Sequence, residues 1–222
     1  MTRKAFLLAT ALTAILCAPS LAQTQPQTQP QTQPQAQRQA AFTDRATVAE
    51  DLARINATLN ATETFAGDFL QIDPDGTRTG GKVYIQRPGK VRFEYDGPLL
   101  IVADGVTIAQ QDRVLETFDR GPLSATPLDF FLKNEVDLAR DTEIVAFRKT
   151  LDEWRVSARD GSGNVDGTLT LVFDAGTLAL KGWVVDDPFG NRVVTELSNL
   201  RYNAQLDPRL FILRDPDRRE RR

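Results

Sequence analysis

The sequence predicts a mainly β fold, in which a long antiparallel sheet is preceded by one helix and interrupted by another. Two observations predict this. From Phe65 onward, large apolar residues alternate with polar ones, which is the period of a half-buried strand. Gly, Pro, Asp and Asn punctuate the run at short intervals, so the connections have hairpin length and neighbouring strands run antiparallel. So many successive strands allow the sheet to curl into a barrel or to bend strongly.

Residues 1–22 have the pattern of a cleaved secretory signal peptide. Arg3 and Lys4 precede an apolar run from Phe6 to Leu16, and small residues ending at Ala22 supply a cleavage site. The alternative is an uncleaved anchor, but the run is shorter than the ~20 residues that a membrane span needs. We therefore expect export and cleavage after Ala22.

Residues 23–41 predict a disordered spacer. They repeat Thr-Gln-Pro-Gln three times and hold almost no apolar surface to offset the entropy of ordering. A Gln-rich binding segment is the alternative. The ordered domain is then expected over residues 42–222.

The composition excludes several kinds of chemistry. The chain has no histidine, and its single cysteine, Cys17, lies inside the signal peptide. Ser-His and Cys-His nucleophile pairs are therefore excluded, and zinc and copper sites are disfavoured. Removing Arg3 and Lys4 leaves 25 basic against 30 acidic side chains, a net charge of −5. A mildly acidic domain is a poor nucleic-acid binder. We expect no enzyme activity, no cofactor, no metal and no nucleic-acid partner.

The first predicted helix follows a capping Thr43 or Asp44 and is expected to use its apolar stripe for core packing. The stripe recurs at spacings of four, three and four residues and comprises Val48, Leu52, Ile55 and Leu59.

The second predicted helix begins at Thr126-Pro127-Leu128-Asp129, with Thr126 as its cap. Leu128, Phe131 and Leu132 form its apolar face. Phe130 points away from that face, which predicts an exposed side chain.

The strands are expected over short, evenly spaced segments. They are Thr64–Ile72, Gly81–Gln86, Lys90–Tyr95, Leu99–Val102, Thr107–Gln110, Val114–Phe118, Glu143–Phe147, Glu153–Ala158, Gly167–Phe173, Ala179–Asp186, Asn191–Asn203 and a terminal Phe211–Leu213.

Three motifs have ordinary explanations. Residues 160–167 resemble a calcium loop, but Val165 and Leu171 occupy positions where an EF-hand needs Gly and Glu, so we expect a hairpin turn. Carboxylate pairs such as Asp186 and Asp187 lie beside turn residues and are expected to be solvated. The glycosylation sequons at Asn56 and Asn60 lie on the predicted helix and are interpreted as chance matches.

The hairpin over residues 80–95 carries a charge at an unusual place. Strand alternation puts Val83, Ile85 and Arg87 on one face. Val91, Phe93 and Tyr95 share a face on the next strand. Arg87 therefore lies inside, at the mouth of the sheet, unless the turn breaks the alternation and sends it to solvent. The residues alone leave both readings open.

An ordered set of motifs carries a family resemblance across the whole mature domain. The set comprises Phe69-Leu70-Gln71, Gly81, Arg87 to Tyr95, Ile101 to Gly105, Thr126-Pro127-Leu128, Leu169 to Asp174, Leu180 to Trp183, Asp187 to Gly190 and Leu200 to Phe211. It resembles the periplasmic lipoprotein carrier family LolA. Two features depart from the family pattern: the Gln/Pro spacer is extra, and Arg214-Asp215-Pro216 stands where a Pro-Pro-Gly sequence is expected.

The resemblance implies an incomplete antiparallel β-barrel, a strongly curved sheet covered by a helical lid. It implies a monomeric carrier in the periplasm of a Gram-negative bacterium, binding the acyl chains of lipoproteins. The donor would be an inner-membrane ABC-type lipoprotein-releasing complex, and the acceptor a protein or lipid of the outer membrane. A periplasmic lipid or glycolipid carrier, or a lipoprotein-sensing regulator, is the alternative on the same fold. A secreted hydrolase and a purely structural envelope protein are rivals of other classes.

The resemblance also assigns site residues. The arginine of the family's Arg-Pro motif ties barrel to lid, which favours the inward reading of Arg87 and makes it the lid latch. The residues expected to line or cover an acyl-chain cavity are Leu52, Ile55, Val83, Ile85, Val91, Phe93, Tyr95, Leu128, Phe131 and Leu132.

Overall fold

The computed structural model describes residues 45–161, 163 and 165–212. The predicted signal peptide and spacer, the caps Thr43 and Asp44, and the chain after residue 212 lie outside the described residues.

The helices are α1 (Arg45–Asn60), α2 (Asp129–Leu132) and α3 (Leu138–Asp141), with 3₁₀ turns at Leu123–Ala125 and Pro208–Phe211. The strands are β1 (Thr64–Ile72), β2 (Arg78–Gln86), β3 (Lys90–Tyr95), β4 (Leu99–Asp104), β5 (Thr107–Asp112), β6 (Thr117–Pro122), β7 (Glu143–Lys149), β8 (Glu153–Arg159), β9 (Thr168–Asp174), β10 (Leu180–Asp186) and β11 (Arg192–Tyr202).

The strands form one 11-stranded antiparallel sheet in the order β6-β5-β4-β3-β2-β1-β11-β10-β9-β8-β7. Every neighbour in the sheet is also a neighbour in sequence except the central pair, where β1 meets β11 from Phe65–Tyr202 to Ile72–Val194. β6 and β7 remain as edges, so the sheet does not close on itself. The predicted fold class, an incomplete antiparallel barrel with helices, is confirmed.

One face of the sheet holds the core. On that face Phe69 packs edge-on against Phe93 and Tyr95, with ring centroids 5.2 and 4.9 Å apart. Trp183 lies 6.0 Å from Phe93 and 5.5 Å from Phe131 of α2, which brings the inserted helix onto the same face. The apolar stripe of α1 packs against the same core. Leu52 and Ile55 are buried, and Val48 and Leu59 are partly buried.

Gly81 allows β2 and β3 to approach Phe69 closely. A Cβ at this position would lie 2.0 Å from the carbonyl oxygen of Glu94 and 2.8 Å from the Phe69 ring. Only a residue without a side chain fits between backbone and ring here.

The second helix differs from its prediction. α2 is a single turn that starts at Asp129, and the Thr126 hydroxyl donates to the carbonyl oxygen of Leu123 at 2.8 Å instead of capping the helix. The prediction that Phe130 is exposed was wrong, because its side chain is 6% accessible. Such a short helix, enclosed between sheet and neighbouring segments, presents apolar residues on more than one side.

Two strand predictions were also wrong. Residues 114–118 were expected as a strand, but Val114 and Leu115 belong to a turn whose amides donate to the Asp112 carboxylate, and β6 starts at Thr117. The expected terminal strand from Phe211 is instead the end of a 3₁₀ turn. Asp207 accepts the Arg209 amide and Pro208 opens the turn, so local capping outweighs the β preference of the apolar residues.

Gly81→Ala is expected to lower the free energy of unfolding by about 2 kcal/mol or more, because backbone or ring must move. Urea denaturation measures the change. Gly121→Ala is the matched control, since a Cβ on this β6 glycine meets nothing within 4 Å and should alter stability by no more than about 1 kcal/mol. Equal effects of the two substitutions would contradict this account of Gly81.

Candidate functional site

The guanidinium of Arg87 lies where α1 ends and β1 begins. Its Nε and Nη2 donate to the carbonyl oxygen of Thr62 at 3.0 and 2.8 Å, and Nη2 also donates to that of Leu59. These carbonyls belong to the last turn of α1 and the residues after it, where a helix leaves acceptors unpaired and carries partial negative charge. Arg87 therefore caps the carboxyl end of α1 from the barrel side.

Arg87 also reaches the segment after α2. Its Nη1 donates to Asn60 Oδ1 at 3.2 Å and lies 3.5 Å from the carbonyl oxygen of Lys133. Burial lowers the pKa of Arg87, while the Glu63 carboxylate opposes that shift. Arginine stays protonated in proteins, so a half-buried cation is held here mainly by neutral acceptors.

The same turn makes a second contact with the lid. Gly89 donates its amide to the carbonyl oxygen of Leu132, the last residue of α2, at 2.7 Å. Gly89 has φ +68°, and a Cβ there would lie 2.7 Å from Gly105 in the next hairpin. The turn from Arg87 to Gly89 thus binds α1 through a side chain and α2 through its backbone.

A cavity of about 160 Å³ opens beside Arg87. Its wall is almost entirely apolar and is formed by α1, the start of β1, the end of β2, α2, the β9–β10 turn and the end of β11. The lining residues are Thr58, Leu59, Thr62, Phe65, Ile85, Arg87, Phe131, Thr177, Leu178, Ala179, Leu180 and Tyr202. A cavity of about 150 Å³ accommodates a ligand the size of benzene, so a larger apolar ligand must displace part of the wall.

The structure places the residues proposed for the site in two zones. Ile85, Arg87 and Phe131 line the cavity itself. The others belong to the core between the helices and the sheet: Leu52, Ile55, Val83, Val91, Phe93, Tyr95 and Leu132 are buried, and Leu128 is partly buried.

Sequence reasoning missed much of the cavity rim. Phe65 and Tyr202 face each other across the β1–β11 pair, with ring centroids 6.3 Å apart. This pairing joins the first strand to the last, so no local pattern reveals it. Leu178 in the β9–β10 turn is buried and has φ +57°. Leucine rarely adopts this backbone conformation, so the sequence does not predict it.

Asn56 and Asn60, interpreted above as chance sequons, contact the segment between α2 and α3. Asn60 Nδ2 donates to the carbonyl oxygen of Val136 at 2.9 Å, and Asn56 Oδ1 accepts the Leu138 amide at 3.2 Å. Two asparagines at i and i+4 on one helix are the signal that could have indicated a shared partner.

A buried carboxylate ties the other part of α1 to the sheet edge. Asp51 is 4% accessible, and its Oδ2 lies 2.5 Å from Nζ of Lys149 on β7. Lys149 Nζ also lies 4.1 Å from the centroid of Trp154, and Arg54 stands 3.7 Å from the same carboxylate. α1 is therefore held to the barrel at two separate places.

Residues 45–161, 163 and 165–212 contain neither a membrane-spanning helix nor a cluster of metal ligands. No helix there is both long and apolar enough to span a membrane. No group of three or more His, Cys, Asp or Glu side chains there could hold a metal ion.

Comparison with known proteins now assigns the family. Residues 60–214 match the family model described as outer membrane lipoprotein carrier protein LolA. This match spans more than half of the chain, and the chain belongs to that family.

Individual relatives are distant. An outer-membrane lipoprotein carrier protein of Chromobacterium violaceum is 29% identical over 178 residues, which cover 76% of this chain and 85% of the relative. A protein of the same name from Legionella pneumophila is 27% identical over 174 residues, covering 73% and 84%. A crystal structure of a LolA superfamily protein from Nitrosomonas europaea covers 74% of this chain and 97% of that one, with 10% identity and a TM-score of 0.44. The family assignment does not depend on that structural likeness.

Tyr95 provides a test of how closed the interior is. Burial raises its pKa to about 12, with the Asp73 carboxylate adding to the shift, and its hydroxyl donates to Gln71 Oε1 at 2.7 Å. The stabilising effect of the neutral phenol is fully present below pH 10, where unfolded tyrosine is also protonated, and is lost as pH rises through 12. The free energy of unfolding should fall by on the order of 2–3 kcal/mol over this window.

Tyr95→Phe should remove most of that fall, as measured by urea unfolding from pH 8 to pH 12. The pKa of Tyr202 is raised by burial and that of Lys82 by its hydrogen bond to Asp68, and both groups contribute to the residual slope in either protein. An unchanged slope in Tyr95→Phe would show that Tyr95 is accessible to water.

Proposed function

We propose that this protein is a periplasmic carrier that shields the acyl chains of lipoproteins released from the inner membrane and delivers them to the outer membrane. The observation that carries the proposal is an apolar interior covered by helices that polar contacts hold to the barrel, at the turn from Arg87 to Gly89 and at the Asp51–Lys149 ion pair. The family supports it, since its matched relatives bear the name outer-membrane lipoprotein carrier protein. The proposed partners are an inner-membrane ABC-type releasing complex and an outer-membrane acceptor, either protein or lipid.

The energetics favour a lid that cargo displaces. Exposing an acyl chain to water costs about 0.8 kcal/mol per CH₂ group, so a soluble carrier must provide extensive apolar cover. The cavity of about 160 Å³ is too small for such chains. Binding therefore requires the helices to move from the sheet, which exposes the apolar residues proposed above as cavity lining.

Arg87 is proposed as the latch that sets the balance between closed and loaded states. Its hydrogen bonds to Thr62, Leu59 and Asn60 stabilise the closed, empty form. Because cargo binds only the open form, the apparent dissociation constant is the intrinsic one divided by the open fraction. A stable latch therefore weakens cargo binding and assists release.

The mature protein is expected to keep a synthetic triacylated lipopeptide in solution at a one-to-one ratio, and the lipopeptide is expected to displace a fluorescent fatty acid from the protein. Sedimentation of the lipopeptide with and without protein measures this, and fluorescence displacement gives the affinity. A protein that binds neither lipopeptide nor fatty acid would refute the carrier proposal. Binding of fatty acid but not of lipopeptide would favour a general lipid carrier.

Arg87→Leu is expected to tighten lipopeptide binding by about tenfold and to slow transfer to acceptor vesicles, because the closed state loses hydrogen bonds to a charged group. Arg192→Leu is the matched control. Its guanidinium binds only the Asp186 carboxylate among the hydrogen bonds described, at 2.7 Å, and lies at the far end of the strands. Unchanged binding and transfer in Arg87→Leu would refute the latch role.

A further inference from the structure

Two asparagines on α1 bind one short segment between α2 and α3. Asn60 contacts both backbone groups of Val136: its Nδ2 donates to the carbonyl oxygen and its Oδ1 accepts the amide, each at 2.9 Å. One turn earlier, Asn56 Oδ1 accepts the Leu138 amide and Nδ2 donates to Asp137 Oδ1, both at 3.2 Å. Each oxygen and nitrogen of the two side-chain amides therefore forms a hydrogen bond with one of three consecutive residues, 136–138.

The segment depends on these side chains for its hydrogen bonds. Residues 133–137 form neither helix nor strand, yet Val136 and Leu138 are each only 1% accessible. Burying these side chains carries their amides away from water, and a buried amide needs a partner. The asparagine side chains supply the hydrogen-bond partners that a neighbouring strand would supply in a sheet.

Asn60 also connects this pair to the latch. Its Oδ1 accepts from Arg87 Nη1 at 3.2 Å as well as from the Val136 amide. The barrel, α1 and the segment after α2 therefore meet at one side-chain oxygen. Asn56 contacts only the segment, so the two asparagines can be separated experimentally.

We propose that Asn56 and Asn60 are positioning residues that join α1 and residues 136–138 into one lid. The lid then leaves the barrel as a unit, by breaking the contacts of Arg87 and Gly89 and the ion pair between Asp51 and Lys149, and does not split between α1 and the segment. The role of this lid in cargo release rests on the proposed carrier function. Whether α1 and residues 136–138 move together can be measured on the protein without cargo.

Hydrogen exchange in the mature protein distinguishes the two ways of opening. The Gly89 amide reports the barrel–lid contact, since it donates to Leu132, whereas the Val136 and Leu138 amides report contacts inside the lid. Opening as one body predicts a protection factor at Gly89 at least about tenfold lower than at the other two, because only the barrel–lid contact is broken. Equal protection at the three amides would overturn the proposal.

A swap of chemical groups tests Asn56 directly. Asn56→Asp places a carboxylate against that of Asp137 and should lower the protection of Leu138 at least about tenfold. Adding Asp137→Asn restores a donor and an acceptor in reversed order and should return protection to within about threefold of wild type. Asp137 Oδ1 accepts both from Asn56 and from the Arg140 amide, so an asparagine at 137 must rotate to keep the Arg140 bond through its oxygen while it donates through its nitrogen. Failure of the second substitution to rescue the first would refute the pairing.

The release rate of a fluorescent fatty acid provides a readout that loss of stability alone does not change. At a temperature where all variants are folded, Asn56→Asp should release the probe several times faster, and the double substitution should restore the rate. Asn191→Ala is the control, because it removes a side-chain bond to Asp187 at the far end of the strands. A release rate unchanged by Asn56→Asp would overturn the lid role. If the wild-type protein binds neither fatty acid nor lipopeptide, the carrier proposal fails while the exchange result still decides whether the lid is one body.

Discussion

The contact between α1 and the mouth of the barrel depends on the interaction between Arg87 and the carboxyl end of that helix. Carbonyl groups at a helix end are unpaired and carry partial negative charge, so a cation placed there satisfies them and gains from the helix dipole. The barrel supplies this cation from a turn whose next glycine amide binds the end of α2. Two lid elements that are far apart in sequence are thereby held by three consecutive residues of the barrel.

The incomplete sheet makes this arrangement possible. In a closed barrel, β6 would pair with β7 and the interior would be filled by side chains. Here the chain between those two edges carries α2 and α3 onto the inner face, and Phe131 occupies space beside Trp183 that a closed barrel would fill from its strands. The pairing of β1 with β11 brings Phe65 and Tyr202 to the same rim as Arg87, so the mouth is built from both ends of the domain.

Alternation along single strands was enough to predict the sheet wall. Val83, Ile85, Val91 and Phe93 follow the period of two, and their burial reflects a local rule with one buried face. Features set by distant parts of the chain could not be read in this way. Phe130 is buried because segments from elsewhere enclose α2, and the partners of Asn56 lie more than 80 residues away. The 3₁₀ turn at Pro208–Phe211 shows the reverse case, where capping by Asp207 overrode an apolar pattern that resembled a strand.

Two interactions compete in the proposed carrier: the hydrogen bonds that hold the lid to the barrel, and the burial of an acyl chain under the lid. Each lid hydrogen bond contributes about 0.5–3 kcal/mol, so the few around Arg87 and Gly89 contribute several kcal/mol together. An acyl chain of about 16 carbons gains on the order of 10 kcal/mol from apolar cover at about 0.8 kcal/mol per CH₂. In the proposed carrier, the burial of an acyl chain therefore outweighs these hydrogen bonds, and latch strength alone does not release the cargo. Release requires an acceptor that offers equal apolar cover. The hydrogen bonds that re-form when the lid closes then make the free energy of transfer favourable. A latch of a few polar contacts is suited to this task, because a much stronger one would exclude cargo and a much weaker one would not favour its departure.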